Sequence, residues 1–268
     1  MSNLRQRVIS GVILAAIALC ATLLGGVWFK LLAIAIGALA LSEWLAIACG
    51  GGDDRMRISA GVALALVAAS LLVLSPLTTW WAFVATALVV YVLVLNLGQS
   101  FWALGGYVYA GATMLALALL RGNDGAGLAT MLYLFAVVWA TDIAAYFTGR
   151  RFGGPKLWPR VSPGKTWSGA VGGVVGAVTG GLVVAGLAGA TNLGLAAVLA
   201  LLLSIVAQFG DLGESAIKRR FGVKDSGNTI PGHGGVLDRI DGLAAASVAL
   251  FAIGAMIQGV AAPAHLLF

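Results

Sequence analysis

The chain has 268 residues, of which 60% are hydrophobic and only 10% are charged. Because a soluble domain carries about 25% charged residues, this composition excludes a soluble globular protein and predicts one that lies in a membrane. The net charge of +6 requires no nucleic-acid partner, since membrane proteins retain basic residues on their cytoplasmic side and near anionic headgroups.

Nine hydrophobic runs follow one another along the chain, and each is long enough for a helix to cross a hydrocarbon core of about 30 Å. They are residues 8–24, 27–48, 58–74, 80–97, 101–120, 128–148, 169–190, 193–209 and 236–256. Strands of a transmembrane barrel would be shorter and would alternate polar with apolar side chains. The first run exceeds the apolar core of a typical signal peptide, so we expect it to be retained. The sequence therefore predicts an all-α, polytopic transmembrane bundle of about nine spans.

Basic residues cluster in the loops that nine spans would place on one face of the membrane. They are Arg5, Arg7, Arg55, Arg57, Arg150, Arg151, Lys156, Arg160, Lys165, Lys218, Arg219, Arg220 and Lys224. Lys30 and Arg121 fall on the opposite face. The positive-inside rule then predicts that the N-terminus and the two large polar loops lie in the cytoplasm.

The spans contain more polar residues in the second half of the chain than in the first half. Glu43 is the one acid within the earlier spans, and we expect it to cap a helix at its cytoplasmic end or to make an interhelical hydrogen bond. From Leu128 onward, polar residues cluster in the spans and loops. We therefore divide the chain into N-terminal scaffold helices (1–127), which could contribute dimer contacts, and a C-terminal catalytic region (128–268). The seventh run also carries glycines at spacings that allow close helix packing: Gly172, Gly173, Gly176, Gly180 and Gly181.

The first polar cluster contains Asp142, followed by Tyr146 and Arg150. An unpaired carboxylate in an apolar helix is energetically unfavourable, so Asp142 requires either a partner or a function. A structural ion pair with an arginine of a neighbouring helix and a functional role remain equally good interpretations.

The second cluster is the stretch 162–168, which immediately precedes the seventh span. Its proline and glycine predict a tight turn, with a hydroxyl near the start of the helix. Free backbone N–H groups and Lys165 would form an anion site there. The glycine spacing is not that of a Walker loop.

The third cluster places Asp211, Glu214, Ser215 and Lys218 along one stripe of a helix. Glu214 and Lys218 have the spacing of a routine helical salt bridge. Asp211 differs because it emerges directly from an apolar span and faces the basic loop.

The fourth cluster runs from His233 to Asp241. Asp238 and Asp241 lie three residues apart in the opening turn of the last helix, which favours a hard-cation site over a helix-dipole contact. Gly234 and Gly235 would allow phosphate to approach the backbone. We expect His233 to donate a hydrogen bond to phosphate rather than to bind metal, since no second histidine is near.

Residues 215–241 follow the order Ser-x-Ile-Lys-Arg-x4-Lys-Asp-x-Gly-x2-Ile-Pro-x-His-Gly-Gly-Val-x-Asp-Arg-Ile-Asp. This order resembles the signature of the phosphatidate cytidylyltransferases, the CDP-diacylglycerol synthases, at every defined position. The turn at 162–167 and the segment 142–150 are also similar to that family, and the resemblance covers about 128–257. The family usually has glutamate where this chain has Ser168. A role for that acid would therefore fall to another carboxylate here or be dispensable.

The resemblance implies that the enzyme condenses CTP with phosphatidic acid to give CDP-diacylglycerol and pyrophosphate, with Mg²⁺ and with a second cation left open. It implies an active site at the cytoplasmic ends of the C-terminal helices and a homodimer in the inner, cytoplasmic membrane. Asp211 and Asp238 would bind metal, with support from Asp241 and Asp142. The residues that would hold triphosphate and lipid phosphate are Lys165, Lys218, Arg219, Lys224 and Arg239. The remaining substrate contacts would come from Ser162, Thr166, Asp225, His233, Gly234 and Gly235.

Two other classes of membrane protein also use carboxylates. A transporter would place its polar groups near the bilayer midplane, whereas these clusters lie at one face. A CDP-alcohol phosphotransferase would carry an aspartate-rich motif of a different spacing on two consecutive helices, which this chain lacks.

Overall fold

The computed structural model describes residues 3–49, 54–230, 232 and 234–268. Within this part of the chain the elements are nine α-helices, two short strands and a terminal 3₁₀ turn. They are α1 (Asn3–Leu24), α2 (Gly26–Cys49), α3 (Asp54–Val73), α4 (Pro76–Asn96), α5 (Phe101–Arg121), α6 (Gly125–Phe152), β1 (Lys156–Trp158), β2 (Ser162–Thr166), α7 (Trp167–Leu187), α8 (Leu193–Arg220), α9 (Leu237–Gln258) and the 3₁₀ turn Pro263–Leu266. The predicted all-α fold is confirmed, with the small hairpin as an addition.

The helices account for the predicted membrane spans. In the described residues, eight helices are long and apolar enough to cross a membrane, and α1 contributes a shorter apolar stretch, Val8–Leu24. α6 and α8 each have 28 residues. At 1.5 Å per residue they rise about 42 Å, which exceeds a hydrocarbon core of about 30 Å. Their polar C-terminal turns can therefore extend beyond the apolar layer.

The turn before α7 is a β-hairpin rather than a simple turn. Positive φ angles of 61° at Gly153 and 98° at Gly154 end α6, since only glycine adopts them without strain. β1 and β2 then pair antiparallel, with Lys156 opposite Thr166. Because β2 leads directly into α7, the hairpin fixes the direction in which that helix begins.

Two compact units make up the described chain. One comprises Met1–Leu119 with Phe221–Arg239, and the other comprises Leu120–Arg220 with Ile240–Phe268. The segment that carries most of the signature thus belongs to the same unit as the N-terminal helices. The predicted division of roles at residue 127 stays a prediction.

Within the second unit, glycines allow α7 to pack closely on α6, as their spacing predicted. A Cβ atom at Gly176 would lie 2.9 Å from the Ala140 carbonyl oxygen, and one at Gly173 would lie 3.1 Å from the Thr141 carbonyl oxygen. These contacts leave no room for a larger residue. Close packing of α6 and α7 forms one wall of the cavity described next.

Candidate active site

A polar cavity of about 710 Å³ lies within the second unit, between the C-terminal half of α6, the hairpin, the start of α7 and α8. It is lined by Thr141, Asp142, Ala145, Tyr146, Gly149, Arg150, Gly153, Gly154, Lys156, Leu157, Gly164, Lys165, Thr166, Gly169, Ala170, Gln208 and Asp211. The structure therefore brings residues of the first two polar clusters together with Asp211 of the third, which lies more than forty residues further along the chain. Their convergence makes this cavity the candidate active site.

Lys165 and Asp211 form an ion pair inside this cavity. Their side chains are 28% and 34% exposed, so the pair is screened only partly by solvent. The Ser215 hydroxyl also donates to Asp211 Oδ1 at 3.4 Å, along the predicted helical stripe. The cation expected to hold phosphate thus lies directly beside the carboxylate expected to bind metal.

The start of α7 is capped by the chain itself. Thr166 Oγ1 accepts from the Gly169 N–H at 3.1 Å, and the Trp167 N–H donates to the Pro155 carbonyl at 3.1 Å. The expectation of free backbone donors is therefore wrong for Trp167 and Gly169. Thr166 is buried in this cap, while Ser162 is half-buried on β2. An anion at this end of the cavity would therefore be held by cationic side chains such as Lys165 rather than by these two N–H groups.

Ser168, where the resemblance leads one to expect glutamate, has a structural role in the described geometry. Its hydroxyl donates to the Gly153 carbonyl at 2.5 Å and lies 3.1 Å from Thr166 Oγ1. These contacts join the end of α6 to the start of α7. The side chain at this position therefore stabilises the hairpin connection.

Carboxylates accumulate around the cavity. Asp142 is exposed and lines it, and the half-buried Asp241 is in electrostatic contact with Asp211, Glu214 and Asp142. Asp241 Oδ1 accepts from the Gly242 N–H at 2.7 Å. Like charges this close repel one another, and a bound cation would relieve that repulsion. In the described residues, however, no three acidic, histidine or cysteine side chains converge as a preformed metal site.

The polar end of α8 contains the predicted helical salt bridge. Lys218 Nζ lies 2.8 Å from Oε2 of the buried Glu214. The routine interpretation of this spacing is therefore the one that the structure shows. Lys218 is not among the cavity-lining residues, and Arg219 is exposed in the last turn of the helix.

In the first unit, Asp238 accepts hydrogen bonds from the segment that connects α8 to α9, residues 221–236, which we call the signature loop. Its Oδ2 accepts from the Ser226 N–H at 2.8 Å, the Gly235 N–H at 2.8 Å and the Ser226 hydroxyl at 3.0 Å. Lys224, Asp225 and Arg239 are exposed, whereas Pro231 and His233 lie outside the described residues. The sequence did not predict this structural use of Asp238.

Gly234 and Gly235, which we expected to let phosphate approach the backbone, instead lie against side chains of the protein. At Gly234, φ is +83° and a Cβ atom would lie 2.6 Å from Asp238 Oδ2. A Cβ atom at Gly235 would clash with the Ser226 hydroxyl and the Glu43 carboxylate. The room that these glycines provide is therefore occupied by side chains of the protein.

Glu43 is the important residue that the sequence analysis left outside the site. It is only 6% exposed and accepts hydrogen bonds from the signature loop and from the start of α9. The expected capping role is thus confirmed, but the helix that it caps is almost two hundred residues further along the chain. A lone acid in an apolar span was the available signal, and its partners could not be read from the sequence.

Comparison with known proteins matches residues 5–257 to the model of the cytidylyltransferase family. The chain belongs to that family. It is 48% identical, over 100% of its length and 99% of the relative's, to the phosphatidate cytidylyltransferase of Brucella melitensis. The enzyme of the same name from Pseudomonas aeruginosa is 37% identical over 97% of this chain and all of its own. That from Bacillus subtilis is 33% identical over 90% of this chain and 94% of its own.

These matches confirm the family that the signature indicated and extend it. The motifs that resemble the family lie within about residues 128–257, whereas the family match begins at residue 5. The N-terminal helices are therefore part of the family's shared architecture. This agrees with the placement of Glu43, an N-terminal residue, against the signature loop.

Proposed function

We propose that this chain is an integral-membrane nucleotidyltransferase that condenses CTP with phosphatidic acid in phospholipid biosynthesis. The products are CDP-diacylglycerol and pyrophosphate. The family membership supports this activity, and the relatives that cover the whole chain are named phosphatidate cytidylyltransferases. A transporter and a CDP-alcohol phosphotransferase are not favoured by these comparisons.

The observation that supports this proposal best is that a polar cavity and an apolar groove adjoin each other in the second unit. The polar cavity has about 710 Å³, which suits a nucleotide-sized ligand. A neighbouring groove of about 420 Å³ shares Leu157, Ala170 and Gln208 with it, and is otherwise lined mainly by apolar residues. Its other lining residues are Trp158, Trp167, Val171, Val174, Ile205, Phe209 and Leu212. A polar cavity beside an apolar groove fits a substrate that has a phosphate head and hydrocarbon chains.

The reaction needs no protein nucleophile. An oxygen of the lipid phosphate attacks the α-phosphorus of CTP and forms the new P–O bond. The bond from that phosphorus to the bridging oxygen of the β-phosphate breaks, and pyrophosphate leaves with the electron pair. The contribution of the protein is therefore positioning and neutralisation of negative charge. Lys165, Lys156 and Arg150, which line the cavity, supply that positive charge.

The donors around the cavity are of the type that Mg²⁺ prefers. Mg²⁺ commonly retains several waters and binds through one or two carboxylates together with substrate phosphates. Asp211 and Asp142 line the cavity and would hold it, with Asp241 in electrostatic range. Bound there, it would neutralise charge on the phosphates. The role of Asp238 as a metal ligand and the presence of a second cation stay predictions.

The Lys165–Asp211 ion pair is the contact that substrate would reorganise. In the structure, each group neutralises the other. When the triphosphate enters, Lys165 can turn to its oxygens while Asp211 faces the cation. Both groups are half-exposed, so the exchange requires no unfolding of the surrounding helices.

The chain is a polytopic membrane protein, and its finer placement is part of the proposal. We infer an inner-membrane enzyme whose N-terminus and active site face the cytoplasm, where CTP is present. The distribution of basic residues and the bacterial origin of the relatives support this placement. A homodimer and the absence of a nucleic-acid partner belong to the same proposal.

The test is a direct assay of the purified protein in lipid nanodiscs that contain phosphatidic acid. Labelled CTP and Mg²⁺ are added, and the label that enters the lipid fraction is measured. We expect labelled CDP-diacylglycerol, loss of activity in EDTA and recovery when Mg²⁺ is restored. Absence of a labelled lipid product across detergents, nanodiscs and divalent metals would reject the proposed function.

A further inference from the structure

Glu43 of α2 is a buried residue whose two carboxylate oxygens each accept two hydrogen bonds. Its Oε1 accepts from the Thr229 hydroxyl at 2.6 Å and from the Val236 N–H at 2.8 Å. Its Oε2 accepts from the Leu237 N–H at 2.9 Å and from the Ser226 hydroxyl at 3.0 Å. One side chain thus connects α2 to Ser226 and Thr229 of the signature loop and to the start of α9.

Two of these donors are backbone groups at the beginning of a helix. The first N–H groups of a helix have no partner within the helix, and the positive end of its dipole favours a negative charge. α9 begins at Leu237, so the Val236 and Leu237 N–H groups are such donors. Glu43 therefore fixes the position from which α9, with Asp238 in its first turn, begins.

The Ser226 hydroxyl links Glu43 to Asp238. It lies 3.0 Å from Glu43 Oε2 and 3.0 Å from Asp238 Oδ2, so its single hydrogen is shared between the two carboxylates. The same Asp238 oxygen also accepts from the Ser226 and Gly235 N–H groups. A displacement of Glu43 would therefore displace Asp238 and the loop together.

Gly227 and Gly235 of the signature loop lie close to the Glu43 carboxylate, where a side chain would come into contact with it. A Cβ atom at Gly227 would lie 3.2 Å from Glu43 Oε1, and one at Gly235 would clash with Oε2. The loop is thus shaped around a carboxylate from a helix that the sequence analysis treated as scaffold. The absence of a side chain at 235 is needed for this contact, and glycine at 227 avoids a close one.

We propose that Glu43 is a positioning residue for nucleotidyl transfer, acting through Ser226 and the start of α9 to hold Asp238 and the signature loop in the geometry required for turnover. This inference rests on the proposed function. It assigns to α2 a direct part in the reaction geometry, although Glu43 itself is not expected to touch substrate. Its effect should therefore appear in kcat.

Glu43→Gln is the decisive variant, because it preserves the shape of the side chain but replaces one acceptor oxygen with an NH₂ group. That NH₂ group must face the backbone N–H of either Val236 or Leu237. Both groups are donors, so one of the two hydrogen bonds is lost. Ser42→Ala is the matched control on the same helix, since the Ser42 hydroxyl bonds only to the Leu39 carbonyl of α2 in the described contacts. Both variants are purified as the full chain in nanodiscs.

Two measurements are made on each protein. We expect hydrogen exchange at Val236 and Leu237 to accelerate in Glu43→Gln and to be unchanged in Ser42→Ala. We expect kcat to fall by about 100-fold in Glu43→Gln, the loss typical of a displacement of about 1 Å in an active site. The KM for phosphatidic acid should not change, because the residues that bond to Glu43 are Ser226, Thr229, Val236 and Leu237, none of which lines the apolar groove.

A double-mutant cycle separates positioning from general destabilisation. Ser226→Ala removes the shared hydroxyl, and its effect on kcat should be smaller in the Glu43→Gln background than in the wild type. Additive effects would indicate that the two residues act independently and would contradict the proposal. If Glu43→Gln does not fold, Thr229→Val takes its place, since it removes one donor to Glu43 at an exposed position.

The outcomes distinguish this inference from the proposed function. Wild-type protein that makes no CDP-lipid rejects the function, while the exchange experiment still decides whether Glu43 anchors the loop. Active wild-type protein with normal exchange and normal kcat in Glu43→Gln, or in Thr229→Val as its substitute, overturns the inference alone.

Discussion

Lys165 of β2 and Asp211 of α8 form an ion pair that joins the hairpin to the helix carrying the third polar cluster. Each residue is expected to contact a different component of the substrate complex, and in the described structure each neutralises the other. An anionic substrate that binds Lys165 would therefore have to replace Asp211 as the partner of its ammonium group.

Lys165→Ala should lower turnover by at least about 100-fold, because a positive charge directed at the transferring phosphate is lost. Lys165→Arg should recover only part of the activity, since a planar guanidinium replaces a compact ammonium. Arg160→Ala is the control, because Arg160 is an exposed cation between the same two strands and does not line the cavity. Equal effects of Lys165→Ala and Arg160→Ala on kcat would mean that Lys165 merely contacts headgroups.

Asp211→Asn should lower turnover by several orders of magnitude while the protein still folds, because shape is kept and charge is removed. Its measured affinity for Mg²⁺ should fall in parallel with kcat. Asp238→Asn is expected to be damaging as well, but for an additional reason, since the Asp238 carboxylate also holds the Ser226 and Gly235 N–H groups. Near-wild-type kinetics in Asp211→Asn would remove that residue from the metal site.

Ser168→Glu, which restores the usual family residue, should leave the enzyme active or only modestly changed. The glutamate loses the hydrogen bond from the Ser168 hydroxyl to the Gly153 carbonyl, whose net contribution to stability is about 1 kcal/mol. Ser168→Ala loses the same bond without adding charge and serves as the comparison. A gain in kcat for glutamate, but not for alanine, would show that the family acid has a catalytic role that this chain lacks.

The predicted topology can be tested by labelling single cysteines introduced at Lys156, Lys224 and Asn123. The background requires Cys20→Ser and Cys49→Ser, because both native thiols are free. We expect Lys156→Cys and Lys224→Cys to react from the cytoplasmic side and Asn123→Cys, next to Arg121, from the opposite side. Reaction of the first two from different sides would contradict the orientation and the span count.

Protonation of Asp124 should make the stability of the protein depend on pH. It caps α6, and the Gly127 N–H that donates to its carboxylate at 2.8 Å holds the pKa of Asp124 below its ordinary value. Burial opposes this effect less strongly, and His265 at 2.8 Å adds to it. Because the lowered pKa belongs to the folded state, the stabilisation is fully present above the unfolded value of about 3.9 and is lost on acidification through the folded value.

The corresponding measurement is the thermal midpoint between pH 6 and pH 3, for which we expect a smaller decline in Asp124→Asn than in the wild type. Asparagine keeps a capping oxygen but does not titrate in this range. Identical pH profiles for the two proteins would exclude Asp124 as a source of acid sensitivity.

The class of protein, its apolar spans and its family could all be predicted from the amino-acid sequence alone. Hydropathy is a local property, so runs of apolar residues predict helices without reference to their neighbours. The signature is also contiguous, and its long mixed pattern identified the cytidylyltransferases before any geometry was known. Even the close packing of α7 could be predicted, since glycine spacing within one helix defines a smooth face.

Which charged side chains meet could not be predicted in this way, because it depends on how the helices and loops pack. The Lys165–Asp211 ion pair and the hydrogen bonds from the Val236 and Leu237 N–H groups to Glu43 join residues that are distant in the chain. A carboxylate in an apolar helix requires donors, but its sequence neighbours do not reveal which loop will supply them. That choice depends on how the helices pack, because only packing brings Glu43 within hydrogen-bonding distance of the glycine-rich loop.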